Sequence, residues 1–349
     1  MIDKIFSWLI LATPAAILVH EFDMPALSVF ILSAVAIVPL AKFLGEATEE
    51  LATHSGPAVG GLLNTTFGNA TELIIGIFAL RAGLLEVVRA SVTGSIMGNL
   101  LLVLGMAIFI GGLKHKRQTF NRTPALAGSS MLVLAVIALV IPAIFAHSSG
   151  NISAVTNHQL SALVSVLMLV LYAAYIIFIF FTHKHLYTED VGKYEAKWSI
   201  KKSVAIMLLA TVAIAWLSEI LVGAISPTID HLGWTQLFVG AVIVAIIGNA
   251  AEHTSAVVMA AKNRMELCLQ IAIGSATQIA MFVMPVLVLL SRLTPHPLDL
   301  TFNTFELAAI ILSVVIANLV VEDGETNWLE GAQLFTAYVV IAVAFYFFP

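Results

Sequence analysis

Apolar runs of about twenty residues, separated by short charged clusters, repeat along nearly the whole chain. A helical run of that length crosses ~30 Å of hydrocarbon at ~1.5 Å per residue, whereas a membrane β-strand needs only ~10 residues of alternating character. The runs here are continuous, so they predict helices. Eleven spans follow, at residues 6–19, 25–44, 58–80, 88–113, 124–146, 158–182, 200–224, 234–261, 267–292, 300–321 and 328–348. The first is short and flanked by Asp3 and Lys4. It lacks a positively charged start and a small-residue cleavage site, so it is expected to be a retained helix.

Composition agrees with that pattern. Hydrophobic residues make up 60% of the chain and charged residues 11%, too few to cover a water-soluble surface. The single cysteine, Cys268, excludes an internal disulfide and a cysteine-cluster metal site. A net charge of −5 on a polytopic chain offers no basic surface for nucleic acid. The basic residues are distributed unevenly: with eleven spans, 13 of the 16 Lys and Arg fall on the face that holds the amino terminus, leaving Arg81, Arg89 and Arg292 on the other. The positive-inside rule then predicts a cytoplasmic amino terminus, an external carboxyl terminus and a cell-membrane location.

A constant offset of 180 lays GNATELI (68–74) on GNAAEHT (248–254). Without a gap it also pairs Gly60 with Gly240, Glu86 with Glu266, Gly94 with Gly274 and Ser95 with Ser275. The chain therefore reads as an all-α duplication: an extra helix at 1–22, five-helix repeats at 23–182 and 200–349, and a cytoplasmic linker at 183–199. The repeats are five spans apart, and an odd shift reverses direction. The halves are expected to be inverted about an axis in the membrane plane, an architecture suited to alternating access.

Each repeat places one acid inside a span, Glu72 in the third and Glu252 in the eighth. An intramembrane carboxylate costs several kcal/mol unless it is protonated, paired or ligating a cation. No Lys or Arg shares the interior of either span. At helical spacing Thr65, Gly68, Asn69, Glu72 and Gly76 form one stripe, repeated by Ala245, Gly248, Asn249, Glu252 and Ala256. The next spans add Ser91, Ser95 and Asn99, and Gly274, Ser275 and Gln278. Two carboxylates with amide, hydroxyl and carbonyl oxygens make an all-oxygen site suited to a hard cation such as calcium. Glu72 and Glu252 are thus the expected metal and proton ligands.

The GNATE and GNAAEH segments, each followed by a GS helix, GSIMGNLL and GSATQIAMF, resemble the two repeats of the calcium/proton antiporter (CAX) family, within the cation/calcium antiporter superfamily. The resemblance covers nearly the whole chain. It implies exchange of Ca2+, or a related divalent cation, for H+ at Glu72 and Glu252, with Asn69, Asn249, Ser95, Asn99, Ser275 and Gln278 shaping the site. It implies no cofactor beyond these transported ions. The partners implied are Ca2+, protons and the lipid bilayer, and a homo-oligomer stays open.

Other polar residues are weighed against plainer roles. Glu219 is a candidate entrance residue, with interfacial solvation as the equal alternative. Glu306 is expected near the outer headgroups, and His253 is expected in packing or a proton path. Glu46, Glu49, Glu50 and His54 read as a solvated acidic loop that could also concentrate cations. Pro39, Pro142 and Pro285 are candidate kinks. Sodium-coupled exchange is the runner-up function, disfavoured because the second stripes carry Asn99 and Gln278 rather than an acid. An intramembrane enzyme is a third class, but the chain has no HExxH or GxSxG motif. A passive channel fits duplicated acids less well than alternating access does.

Overall fold

The computed structural model describes residues 6, 8–55, 60, 63, 66–148, 153–183 and 196–348. Helices follow one another as α1 (Ala12–Glu21), α2 (Ala26–Ser55), α3 (Ala70–Arg81), α4 (Leu85–Lys114), α5 (Arg122–Ser148) and α6 (Ala154–Thr182). After the linker come α7 (Ile200–Leu232), α8 (Gln236–Gly248), α9 (Ala250–Ala261), α10 (Met265–Ser291), α11 (Thr304–Val321) and α12 (Trp328–Phe347). Among the described residues eight of these are long and apolar enough to cross a membrane, and α8 with α9, bent by 61°, makes a ninth. Two of the eleven expected spans fall short by length: α1 has 10 residues and α3 has 12. Part of the third expected span, including Thr65, lies outside the described residues, as do residues 184–195 of the linker.

Burial sorts the helices. In α4 and α10 72% of the most apolar stretch is buried, against 17% in α6, so α4 and α10 form the centre and α6 presents its side chains outward. These two central helices occupy equivalent positions in the two sequence halves. Each also carries a π-helical stretch at the equivalent place, Gly98–Val103 in α4 and Ile279–Val283 in α10. In α10 the widened turn precedes Pro285 and relieves the clash of its ring with the carbonyl four residues back. No proline follows it in α4, so proline alone does not account for the pair.

Small residues set how closely the centre packs. A Cβ on Gly94 would run into the carbonyl of Ala241, and one on Gly240 would lie 2.8 Å from the carbonyl oxygen of Val87. The α4 and α8 backbones therefore touch, which only glycine permits. The repeat equivalent of Gly94, Gly274 in α10, has nothing within 4 Å of its added Cβ among the described residues, and the equivalent of Ala241, residue 61, lies outside them.

Several expectations need correction. The second span does not stop at Leu44: α2 runs on to Ser55, so the Glu46–His54 cluster is helical rather than a loop. Lys42 and Glu46 pair at 3.4 Å across one turn. Glu50 is buried, its carboxylate accepting the backbone N–H groups of Lys197 (2.7 Å) and Trp198 (3.0 Å). The Nε2 of His54 lies 2.7 Å from the carbonyl oxygen of Trp198. Glu50 and His54 thus grip the chain entering α7, while Glu49 and His54 remain exposed and Glu46 partly so. Glu306 is also buried, at 2% exposure, in a reciprocal cap with Asn303 at the start of α11. Here an N-cap requirement outweighs the cost of burying a carboxyl group.

Both ends of the bundle are tied by loop contacts. Residues 118–119 (β1) pair antiparallel with 325–326 (β2), joining the α4–α5 and α11–α12 connections. Gln118 donates from Nε2 to the Ala260 carbonyl (2.8 Å) and to Asn263 Oδ1 (3.2 Å), pinning the end of α9. At the opposite end Asp299 receives Arg292 at 2.8 Å and His158 at 2.7 Å, fixing the α10–α11 loop to α6.

Candidate functional site

Glu72 and Glu252 do not sit in mid-helix as a continuous apolar run suggests. Helix α3 begins after Asn69 (φ −104°, ψ 28°) and α9 after Asn249 (φ −92°, ψ 12°), so each span is interrupted at its GN pair. Each acid then occupies the first turn of a new helix. Four unbonded N–H groups and the positive end of the helix dipole favour a carboxylate there by about 0.3–1 kcal/mol. The break also frees carbonyls to face polar partners, as irregular backbone in a membrane requires. The Asn249 side chain donates to the Ala245 carbonyl at 2.8 Å, beside the Asn249 backbone N–H, which bonds the same oxygen at 3.1 Å. The continuous stripe expected along the third and eighth spans is therefore two stripes, offset at the asparagines.

The asparagines hold the halves together. Asn69 accepts from Ser275 Oγ (2.9 Å) and donates to Gln278 Oε1 (2.6 Å), both across the repeat boundary. In the reverse sense Asn249 donates to Ser95 Oγ (2.8 Å) and accepts from Asn99 Nδ2 (2.9 Å). A further bond from Asn99 Nδ2 to Ser275 Oγ (3.0 Å) links the two sets. All six side chains are buried. Each asparagine thus clasps the serine of the other half, and all six residues expected to support the site meet in one network. Such a buried network is rigid when satisfied and costly when a member is lost.

Within it some groups are left without partners. Neither carboxylate oxygen of Glu72 has a hydrogen-bond partner among the described residues, nor has Asn99 Oδ1. Gly248 makes room for the arrangement: a Cβ there would stand 3.0 Å from Glu72 Cγ, so the first-half acid lies over the glycine of the second-half motif. A buried carboxylate without donors is unstable as a bare anion, so a proton or a cation must complete it.

Other candidates lie elsewhere. Glu219 is exposed in a groove with His20, Asp23 and Trp216, between α7 and the α1–α2 turn, apart from the asparagine network. The Nε2 of His253 is buried without a partner among the described residues. One feature was missed by sequence reasoning, the helix breaks. The GN pairs were the available signal, since asparagine and glycine both weaken helices.

Comparison with known proteins places this geometry. The model of the family described as sodium/calcium exchanger protein matches residues 25–181 and 202–347. The chain is 44% identical to the Ca(2+)/H(+) antiporter ChaA of Bacillus subtilis (strain 168), covering 99% of each. It is 43% identical to a Ca(2+)/H(+) antiporter of Aphanothece halophytica, covering 99% of this chain and 97% of that one. Among solved structures, that of native YfkE superimposes with a TM-score of 0.87 at 40% identity, covering 98% of this chain and 100% of the other.

Proposed function

The chain belongs to the sodium/calcium exchanger protein family, and from that membership we propose that it is a secondary antiporter exchanging Ca2+ for H+. The observation that carries the reading to this chain's own residues is the pair of acids at equivalent helix starts. Each heads a broken helix behind an asparagine that is bonded across the halves, and Glu72 has no donor for either oxygen. Ca2+, as substrate, finds carboxylate oxygens of Glu72 and Glu252 and the unpartnered Oδ1 of Asn99. Protons find the same carboxylates. Metal binding requires the ionised acids, so the two cargoes exclude each other at one site. Ser95, Ser275, Asn69, Asn249 and Gln278 position these groups.

Eleven spans in two inverted five-helix repeats, with α1 extra, remain the architecture we favour. The paired π turns, the reciprocal Asn–Ser bonds and the two-segment family match all support it. The Lys/Arg asymmetry supports a cytoplasmic amino terminus and an external carboxyl terminus in a cell membrane. The test is a proteoliposome assay of purified protein in which calcium movement, internal pH and sodium are followed together. Calcium flux driven by a pH difference and indifferent to sodium is expected. Flux that follows a sodium gradient and ignores pH would assign the chain to sodium-coupled exchange.

A further inference from the structure

Above Glu72 lies a narrow cavity with about 10 Å³ open to the centre of a water molecule, room for roughly one. Four helices line it, and all four step in one direction. From the level of the acid, α3 contributes Ile75, α4 goes back from Ser95 to Ser91, α8 from Gly248 to Val244, and α10 forward from Ile279 through Val283 to Leu287. Each step leads toward the α3–α4 turn at residues 82–84. The cavity is thus a short passage from the carboxylate toward that face, not a lateral gap.

Its far end is closed by apolar side chains. Leu287, Val283 and Ile75 are all buried to 2% exposure or less. The Leu287 side chain rests on bare backbone: a Cβ on Gly76 would lie 2.8 Å from Leu287 Cδ1 and 3.2 Å from Cδ2. The glycine is the seat and the leucine the plug. Applying the 180-residue offset, the corresponding pair in the other half is Ala107 and Ala256, both fully buried. One half sets large against none, the other small against small, so the two passages are not built alike. Ser91 also has no polar equivalent, since position 271 is Ile. Ser91 donates to the Val88 carbonyl (2.9 Å), which leaves its oxygen lone pairs available to the passage.

We propose that Leu287, seated on Gly76, is the closed gate on the α3–α4-turn side of Glu72. Ser91 is the first hydroxyl a cation meets once the gate moves. The inference takes its cargo from the exchange reading above, but its test does not depend on which ion is carried. Ser91→Cys is made in a chain whose only cysteine is replaced, Cys268→Ala. It is then labelled in sealed vesicles of either orientation with a membrane-impermeant, cationic thiol reagent. With Leu287 intact, labelling from the α3–α4-turn side should be slow. Leu287→Ala should raise the rate from that side at least tenfold without raising it from the other, and the milder Leu287→Val should give an intermediate rise. Gly76→Ala, which displaces the plug from its seat, should act in the same direction. Each variant is first shown to elute as a single species in detergent. If Leu287→Ala does not, Leu287→Val and Gly76→Ala decide. Unchanged labelling in folded variants, or a rise from the opposite side alone, overturns the gate. Failure of calcium/proton exchange in the unmodified protein, with the labelling pattern intact, would instead overturn the ion assignment and leave the gate standing.

Discussion

At the scale of single residues, the two glutamates and the two amides Asn99 and Gln278 have different roles in the proposed exchange. There Glu72 and Glu252 carry the exchangeable charge, and glutamine preserves their shape without it. Glu72→Gln and Glu252→Gln are each expected to reduce exchange to background while the protein still inserts and purifies normally. Near-normal calcium/proton exchange by either variant would remove that residue from the mechanism. Asn99 and Gln278 contribute only neutral dipoles, so Asn99→Ala and Gln278→Ala should weaken apparent calcium affinity more mildly than loss of an acid, by about fivefold for each hydrogen bond lost at about 1 kcal/mol per bond. Asn99 should be the more damaging of the two, because its amide bonds both Asn249 and Ser275 whereas Gln278 bonds Asn69 alone. Equal, negligible effects in a calcium titration would argue against the network. Glu72, Glu252, Asn69, Asn249, Ser95 and Ser275 were legible in the sequence from the matching frames of the duplication, whereas Asn99 and Gln278, which the offset lays on Ile279 and Gly98, came from the second stripes and the family resemblance. Their partners were not, since Asn69 and Gln278 are 209 positions apart and composition says nothing of which amide meets which hydroxyl.

At the scale of elements, hydropathy marked most of the helices but not their interruptions or their true lengths. The residues around Asn249 are apolar enough on either side to read as one span, and no proline marks the 61° bend. The break is decided by what the backbone gains from its surroundings, including the Ser95 and Asn99 contacts of Asn249. Helix α2 runs past its apolar stretch because Lys42 and Glu46 bridge a turn and Glu50 finds two backbone donors, interactions invisible to a hydropathy window. Helix contact geometry gives a sharper test than length. Gly94 meets the α8 backbone, so Gly94→Ala should force the helices apart and cost about 1–3 kcal/mol, seen as a lower melting temperature in detergent. Among the described residues Gly274 has nothing against it, and Gly274→Ala gains about 1 kcal/mol in helix propensity, so it should melt no lower than the unmodified protein. If the halves exchange conformations, Gly274 takes up the close contact in the alternate state, and the same variant should transport slowly despite its stability. A fully active Gly274→Ala would mean that this pair of glycines does not alternate.

At the scale of the whole molecule, the proposed exchange makes protonation and cation binding alternatives rather than independent events. Either loaded state would neutralise what an empty, doubly ionised site would leave exposed to a low-dielectric interior. On that reading only a neutralised centre moves. The asparagines that precede the acids are held by buried bonds between the halves, and the outer helices are apolar. Uncoupled leak would be suppressed by the same cost, because an empty ionised site could not be carried past the middle of the bilayer. The sign of the pH dependence follows. Calcium needs the ionised carboxylates and protons occupy them, so apparent calcium affinity must fall as pH falls. Measured on purified protein without a membrane potential, the affinity should decline steadily from alkaline to acid pH. The slope should flatten in Glu72→Gln, where one of the competing sites is gone. An affinity that stays constant across that range, in protein shown to remain folded, would sink the shared-site mechanism even if calcium transport itself were established. In that case the protons would have to cross at groups other than Glu72 and Glu252, and the reciprocal Asn–Ser clasps would be a structural hinge rather than the frame of an exchange site.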